Sequence, residues 1–449
     1  MGLYNLFHST LFRLKDLRDR TGVYRLAARL RREQFLPRPD LDDLRRRRLL
    51  DLLAHARLHS PYYRDLLAGL EPDLERIAPH EILSRIPLLT REIVQEEGSR
   101  LLCPGIPGSY PDSSGGSTGR PVNFHHDLTY LNWGRAHELF FLSWMGVRPG
   151  DRTAVFWGAD RDLKEESLYT RLMLRLNRVR QLNSFAMSEA QIDAFLKQLN
   201  AFRPRYIYGY ASSLYHVATF IARGRPLGFR PLAIRSSAEM LYPVQRAAIE
   251  QAFDAPVHNF YGSREVNNIA AECAAHDGLH IFASARMVEI VDDRGRLLPP
   301  GEVGHIAVTD LTNRAFPFIR YLNGDLAALK SGLCPCGRTY PRLEKIAGRS
   351  SDIITVEGRH IHGEYFTHLF YGRPEVKAFQ LIQETEYDFR LLLVPRTRDL
   401  DTAFFRDRIR DKLGPRVRLE IALVDDIPPT AGGKHRFTVS KVPPRKDGL

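Results

Sequence analysis

The densest run of small polar residues in the chain is Asp112-Ser113-Ser114-Gly115-Gly116-Ser117-Thr118-Gly119-Arg120-Pro121. Glycines admit positive φ and let a ligand approach the backbone closely. Successive N–H groups in such a turn form a concave anion site, and Ser and Thr add hydroxyl donors. The chemistry on offer is the cradling of a nucleotide's phosphates. The P-loop pattern, with Gly-Lys-Ser/Thr after four intervening residues, is missing, which speaks against a P-loop kinase or GTPase. A flexible Gly/Ser linker has the same composition, so the run alone leaves both readings open.

A second constellation is built from cysteine and histidine. Cys334-Pro335-Cys336-Gly337 is a short thiolate chelate ending in a turn-forming glycine. Upstream, Cys273-Ala274-Ala275-His276-Asp277-Gly278-Leu279-His280 supplies a third thiol and two imidazoles. Three thiolates and one imidazole satisfy tetrahedral zinc; four protein ligands leave no open position for water, so the site would be structural. His276 and His280 compete for the fourth place, and three reduced cysteines beside a surface histidine is the plain alternative. Cys103 takes no role. Four cysteines in 449 residues argue against a disulfide framework and for a reducing cytoplasm.

Four more motifs follow in order: Asn259-Phe260-Tyr261-Gly262-Ser263-Arg264-Glu265, Arg320-Tyr321-Leu322-Asn323-Gly324-Asp325, Gly348-Arg349-Ser350-Ser351-Asp352 and Pro429-Thr430-Ala431-Gly432-Gly433-Lys434. With Ser113 to Pro121 they resemble the ordered motifs of the adenylate-forming (acyl-AMP) ligases, and among these the phenylacetate–CoA ligase family. The segment His362-Gly363-Glu364 with Phe366-Thr367-His368 looks closest to the branch often labelled capsular polysaccharide biosynthesis proteins. The resemblance covers roughly Ser113 to the C-terminus.

The resemblance implies an ATP-dependent ligase that turns a carboxylic acid into its acyl-adenylate and passes the acyl group to a thiol, coenzyme A first among the candidates. It implies that Ser113, Ser114, Gly115, Gly116, Ser117, Thr118 and Gly119 hold the phosphates. Tyr261, Gly262, Ser263 and Glu239 would line the nucleotide or acyl site. Asp325 and Arg349 would meet the ribose, Glu265 would carry magnesium, and Lys434 would be the catalytic lysine. The family has a similar Cys/His arrangement, which favours His280 over His276 beside Cys273, Cys334 and Cys336 for zinc. A carboxylate is a poor electrophile, and its attack on the α-phosphate spreads charge that positioned cations stabilise. Lysine, a compact cation with three donors, suits that task. Each residue also has an ordinary reading: an exposed tail lysine, a first-turn glutamate at a helix N-terminus, or a structural salt bridge for Asp325 or Arg349. Trp133, Tyr208, Tyr210 and Phe260 could line an aromatic-acid pocket or simply pack.

Two positions depart from the family pattern. Arg264 replaces the usual hydroxyl residue before the glutamate. Ser351, followed by Asp352, stands where the hinge is commonly Asp. In the family, rotation about that hinge exchanges an adenylating face for a thioester-forming one. These departures keep two alternatives open: an adenylating enzyme whose acceptor is an amine, hydroxyl or carrier protein, and a non-catalytic nucleotide-binding or interaction protein on the same scaffold.

The elements that must position these residues read as α/β. Leu41 to Arg57 and Tyr62 to Leu70 have helical spacing. Beyond Gly119, short apolar strands (Thr153 to Trp157, Tyr206 to Tyr208, Val257 to Tyr261) alternate with helical stretches (Glu189 to Phe202, Pro243 to Phe253). This predicts an α/β core with a largely parallel sheet. Met287 to Val291 and His305 to Thr309 suggest a small β subdomain near 285–340. Strands Leu391 to Val394 and Arg418 to Val424, with a helix near Ala403 to Leu413, complete an α+β tail. The expected organisation is an adenylation domain over 1–348, helical at its start, and a small mobile C-terminal lid over 349–449. The net charge of +12 suits polyanionic partners, ATP and coenzyme A included. No zinc-finger spacing or RNA-binding signature accompanies it, so no nucleic-acid partner is expected. No apolar run reaches the roughly 18 residues of a membrane span, and no signal peptide is legible. Met1 to Arg31 reads as one or two basic amphipathic helices, a solvated helix packed on the core being favoured over a membrane-surface role. A homodimer is left open.

Overall fold

The computed structural model describes residues 3–69, 77–114, 122–156, 168–182, 189–349, 353–357, 359–370, 373, 375–396, 400–428 and 436–442. Among these, eleven strands form one sheet. From one edge to the other they are Val179–Leu182, Thr153–Phe156, Tyr206–Tyr210, Ala233–Ser237, Val257–Ser263, Asn267–Glu272, Leu279–Ile281, Arg342–Arg349, Tyr321–Lys330, Gly304–Asp310 and Arg286–Val291. The first five run parallel, as the strand–helix alternation predicts. From Asn267 onward every neighbour is antiparallel. The strands near 285–310 therefore extend the large sheet; they do not form a sheet of their own. The reason is local. Only residues 264–266 separate Ser263 from Asn267, too few for the crossover that a parallel partner needs. Gly262 makes the reversal feasible: a Cβ there would stand 2.5 Å from the Asn267 carbonyl oxygen, where the register slips between Tyr261 and Gly262.

The parallel half carries the helices Glu189–Phe202, Ala211–Ala222 and Pro243–Phe253, whose apolar faces meet Ile207, Ile234 and Val257. The opposite face, with Tyr206, Ala233 and Phe260, is covered by Val23–Glu33 and Leu128–Trp144. The helices Arg38–His59, Pro61–Leu66, Pro79–Ser84 and Arg91–Leu101 pack on the antiparallel half. Two helix starts near the site are capped by side chains: Thr90 accepts from the Ile93 N–H and Asp127 from the Tyr130 N–H, sparing backbone donors that would otherwise be orphaned. Downstream, Arg418–Leu423, Asp388–Pro395, Val376–Gln383 and Thr438–Ser440 form a separate four-stranded mixed sheet. With the helices Gly363–Phe370 and Ala403–Leu413 it has its own apolar core.

In the antiparallel half, Arg286 and Asp310 form an ion pair at 2.6 Å with both side chains fully buried. Asp310 Oδ1 also accepts from the Thr312 N–H (2.8 Å) and hydroxyl (2.7 Å). Arg286 Nε donates to the Val266 carbonyl at 2.8 Å, which pins the reversal after Ser263. Burial pushes the Asp310 carboxyl up, against the pull of Arg286. Removing one partner of such a pair leaves a buried, uncompensated charge at a cost of about 3–5 kcal/mol, whereas replacing both by apolar groups is far cheaper. Arg286→Met is therefore expected to lose about that much in urea unfolding, and Arg286→Met/Asp310→Leu to regain part of it. A double variant as unstable as the sum of the two singles would contradict this.

Candidate functional site

Ligands of open α/β sheets bind beyond the carboxyl ends of the parallel strands, where the topology switches. Here that place is the end of Ala233–Ser237 and Val257–Ser263, at the passage from parallel to antiparallel pairing. Tyr261 donates to Asp325 Oδ2 at 2.7 Å and accepts from Asn323 Nδ2 at 2.6 Å. Asp325 pairs in register with Arg349, so the two ribose candidates face each other across one ladder. Ser113 lies at the end of the strand Tyr110–Ser113, which pairs with Asn123–His126. The serine-rich run thus starts from the end of a paired strand. Ser114 N–H bonds to the Val122 carbonyl at 2.9 Å, and its hydroxyl accepts from Arg91 at 3.4 Å. Residues Gly115, Gly116, Ser117, Thr118 and Gly119 lie outside the described residues, as do Ser351, Asp352 and Lys434.

Glu265 is buried, 9% exposed. Burial pushes the Tyr321 phenol far up, and the charges of Glu265 and Asp325 add to the rise while Arg91 opposes it. Those three charges are thus near enough to Tyr321 to act on it. Arg264 is the departure from the family pattern, and it pairs with Asp112 at 3.1 Å, tying the reversal to the start of the serine-rich run. Its carbonyl accepts from Tyr130 at 3.2 Å and lies 3.2 Å from His126 Nε2. Ser263 accepts from the Val266 N–H at 3.3 Å. Glu239 has a structural duty: Oε2 accepts from the Ser212 N–H at 2.9 Å, at the start of Ala211–Ala222. The residue before it, Ala238, is held at φ +68°, a left-handed conformation uncommon for non-glycine residues and concentrated at functional sites.

Sequence reasoning missed Arg235. It is 8% exposed, in a strand otherwise made of Ala, Ile and Ser. Its guanidinium stacks 3.5 Å above the Phe260 ring and 5.6 Å from Tyr208. Nη1 meets both carboxylate oxygens of Glu138, at 2.8 and 2.9 Å, and Nε is buried without a hydrogen-bond partner among the described residues. Of the four aromatics singled out earlier, Tyr208 and Phe260 share this cation. Trp133 lies under Arg48 instead (5.2 Å), and Tyr210 is 2% exposed. An arginine inside an apolar strand, two residues before Ser237, was the legible signal.

The ligand atoms of Cys273, His280, Cys334 and Cys336 lie within 4.8 Å of one another. Cys273 and Cys334 sulfurs stand 3.7 Å apart, and Cys336 Sγ is 3.3 Å from His280 Nε2. A zinc tetrahedron with bonds of about 2.3 Å to sulfur and about 2.1 Å to nitrogen has edges of roughly 3.6–3.8 Å, so the cluster is already near that size. His280 Nδ1 is 3.3 Å from the Tyr340 carbonyl, the outer partner that orients a ligating imidazole. Burial holds His280 down to about 4, leaving a neutral ring with a lone pair. His276 points elsewhere, to Glu272 (3.3 Å) and Arg246 (3.2 Å).

The profile of the CapK C-terminal domain family matches residues 353–441. Phenylacetate-coenzyme A ligase of Thermus thermophilus is 27% identical over 381 residues, 79% of this chain and 80% of that protein. Protein CapK of Staphylococcus aureus is 23% identical over 417 residues, 90% of each. Among solved structures, 2-hydroxyisobutyryl-CoA ligase in the postadenylation state with 2-HIB-AMP shares the fold. Its TM-score is 0.72 at 23% identity, over 91% of each chain.

One electrostatic feature of the site reports on its packing. His126 stacks on Tyr130 at 3.7 Å, and burial lowers it to about 4 although Asp112 pulls upward. An unfolded imidazole binds its proton below about pH 6.5, while the folded one refuses it until about pH 4. The stability from the neutral ring is therefore complete above pH 6.5 and lost as pH falls toward 4. The urea midpoint should drop across that window, and less steeply in His126→Gln. An unchanged slope in that variant would contradict the assignment.

Proposed function

We propose that the chain, 27% identical to a phenylacetate-coenzyme A ligase over 79% of its length, is an AMP-forming acid–thiol ligase of the adenylate-forming type. A carboxylate attacks the α-phosphorus of ATP, forming the acyl–AMP mixed anhydride and releasing pyrophosphate. The thiol of coenzyme A then attacks the acyl carbon and displaces AMP. The bound adenylate is itself electrophilic, so no covalent enzyme intermediate enters. The observation that carries this reading is the convergence at the strand ends: Tyr261 bonded to Asp325 and Asn323, Arg264 beside Glu265 paired with Asp112, and Ser114 on Arg91.

In this reading the run Ser113–Gly119 binds the phosphates, Asp325 and Arg349 hold the ribose, and Tyr261 orients Asp325. Lys434 supplies the cation for the adenylating step. Magnesium neutralises phosphate charge when bound, and Glu265 is its assigned ligand: a buried carboxylate for which the described residues offer no ion-pair partner, in keeping with a hard, oxygen-seeking ion. The acyl group is placed over Tyr208 and Phe260, where the buried Arg235 would select against acids unable to face a cation. We divide the chain into an adenylation domain, 1–348, and a lid, 349–449, with the pivot after Arg349; the separate sheet and core downstream support that division. Zinc is assigned to Cys273, His280, Cys334 and Cys336 as a structural ion clasping the loop after Tyr321–Lys330 to the strand Leu279–Ile281. The reaction is placed in the cytoplasm.

A pyrophosphate-release screen over aromatic, fatty and hydroxy acids tests the first step. Lys434→Ala is expected to cut adenylation by roughly 100-fold or more, the scale of losing one positioned charge, while ATP binding stays within a few-fold of normal. AMP release that does not respond to coenzyme A would remove the proposed acceptor. Metal analysis of the purified chain should give about one zinc per chain, and Cys336→Ser should lose it and melt several degrees lower, because metal-binding energy is folding energy. A full-length chain that is metal-free and equally stable after chelation would refute the zinc assignment.

A further inference from the structure

The first helix, Leu3–Arg18, has its amphipathicity reversed. A surface helix of a soluble domain turns its apolar stripe to the core and its polar face to water. Here the polar side is turned inward and consumed by the protein. Tyr4 donates to the Leu176 carbonyl at 2.6 Å and has Arg178 over its ring. Asn5 Nδ2 donates to the Pro149 carbonyl (3.1 Å) and to Asp151 (2.9 Å). His8 is buried, 3.0 Å from Asn177. Asp16 accepts from the N–H groups of Val23 (2.8 Å) and Tyr24 (3.2 Å), at the start of the next helix.

Left outside are Leu3, Leu6, Phe7, Leu11, Leu14 and Leu17, between 39% and 88% exposed. At 100° per residue these six fall within an arc of about 140°. Six large apolar side chains on one exposed stripe are not the scattered singles that any surface shows; contiguous patches of this kind mark a surface that something covers. The helix is packed on the core, but it is the apolar face that is left to solvent. Periodicity showed that the two faces differ, but the hydrogen-bond partners at 149–151 and 176–178 decided which one turns inward.

Charge indicates what covers the stripe. Arg13 and Lys15 border it, and the first forty residues hold nine Lys and Arg against four Asp and Glu. A second copy would bring an equally basic face to the contact, within a chain of net charge +12, and would be repelled. We propose that the helix Leu3–Arg18 lies in the headgroup plane of an anionic phospholipid bilayer and docks the enzyme there reversibly. The helix has 16 residues, about 24 Å long, which suits lying in the interface rather than crossing roughly 30 Å of hydrocarbon. No helix among the described residues is long and apolar enough to span. The apolar stripe supplies burial at the acyl boundary, and the basic border supplies attraction to lipid phosphates that salt screens.

Co-sedimentation of the full chain with vesicles tests the proposal. Vesicles of phosphatidylcholine with about one-third phosphatidylglycerol should bind it at least tenfold more tightly than phosphatidylcholine alone, since each basic residue near the surface contributes roughly a fivefold factor. High salt should remove most of that difference. Phe7→Gln/Leu14→Gln should lower binding by roughly tenfold or more, with the melting temperature and ATP binding of the parent. Failure to bind anionic vesicles at low salt overturns the proposal. So does binding that the double variant leaves unchanged. Light scattering provides the third check: a dimer that the double variant converts to monomer would give the stripe to a second copy and end the lipid assignment.

Discussion

The buried pair Arg286–Asp310 is the constraint around which the rest is arranged. An arginine with no side-chain exposure is costly to desolvate and must be matched by fixed acceptors. Two of those acceptors do more than compensate it. Asp310 ends the strand Gly304–Asp310 and holds Thr312 through backbone and hydroxyl. The Val266 carbonyl belongs to the three-residue reversal that displays Glu265. One guanidinium therefore fixes the spacing between an outer strand and the turn at the centre of the candidate site. A lysine has one charged nitrogen and could not reach both at once.

That turn is also where the sheet changes character. Upstream, parallel strands separated by helices leave an open crevice at their carboxyl ends. Downstream, hairpin-linked strands bring Asn323 and Asp325 back to the same edge, so that Tyr261 meets them from its own strand. The serine-rich run joins through Arg264 and Asp112 on one side and Arg91 on the other. Groups from four distant stretches of sequence thus share one edge because the topology reverses there.

The legible parts of this arrangement were those governed by neighbours in sequence. The helices Pro243–Phe253 and Ala403–Leu413 and the strand Val257–Ser263 follow from periodicity and capping within a few turns. The motif around Glu265 was visible through its resemblance to the family's ordered motifs, and the Cys/His candidates through the short steps Cys273–His280 and Cys334–Cys336, two halves that lie 61 positions apart. The remainder depends on partners far along the chain. Arg235 and Glu138 are 97 positions apart, and nothing local at either announces the other. Continuation of the sheet past Asn267 rests on a register slip at Gly262. The inward face of the first helix is set by carbonyls more than 140 residues away.

Asp325 stands directly across the ladder from Arg349, and Arg349 closes the last strand of the large sheet in chain order. Further along the chain the strands Ile353–Val356 and Arg359–His362 pair with each other before the four-stranded sheet begins. Tension on the chain beyond Arg349 would fall first on the rung it shares with Asp325. Whatever stiffens Asp325 therefore stiffens the point at which the large sheet gives out.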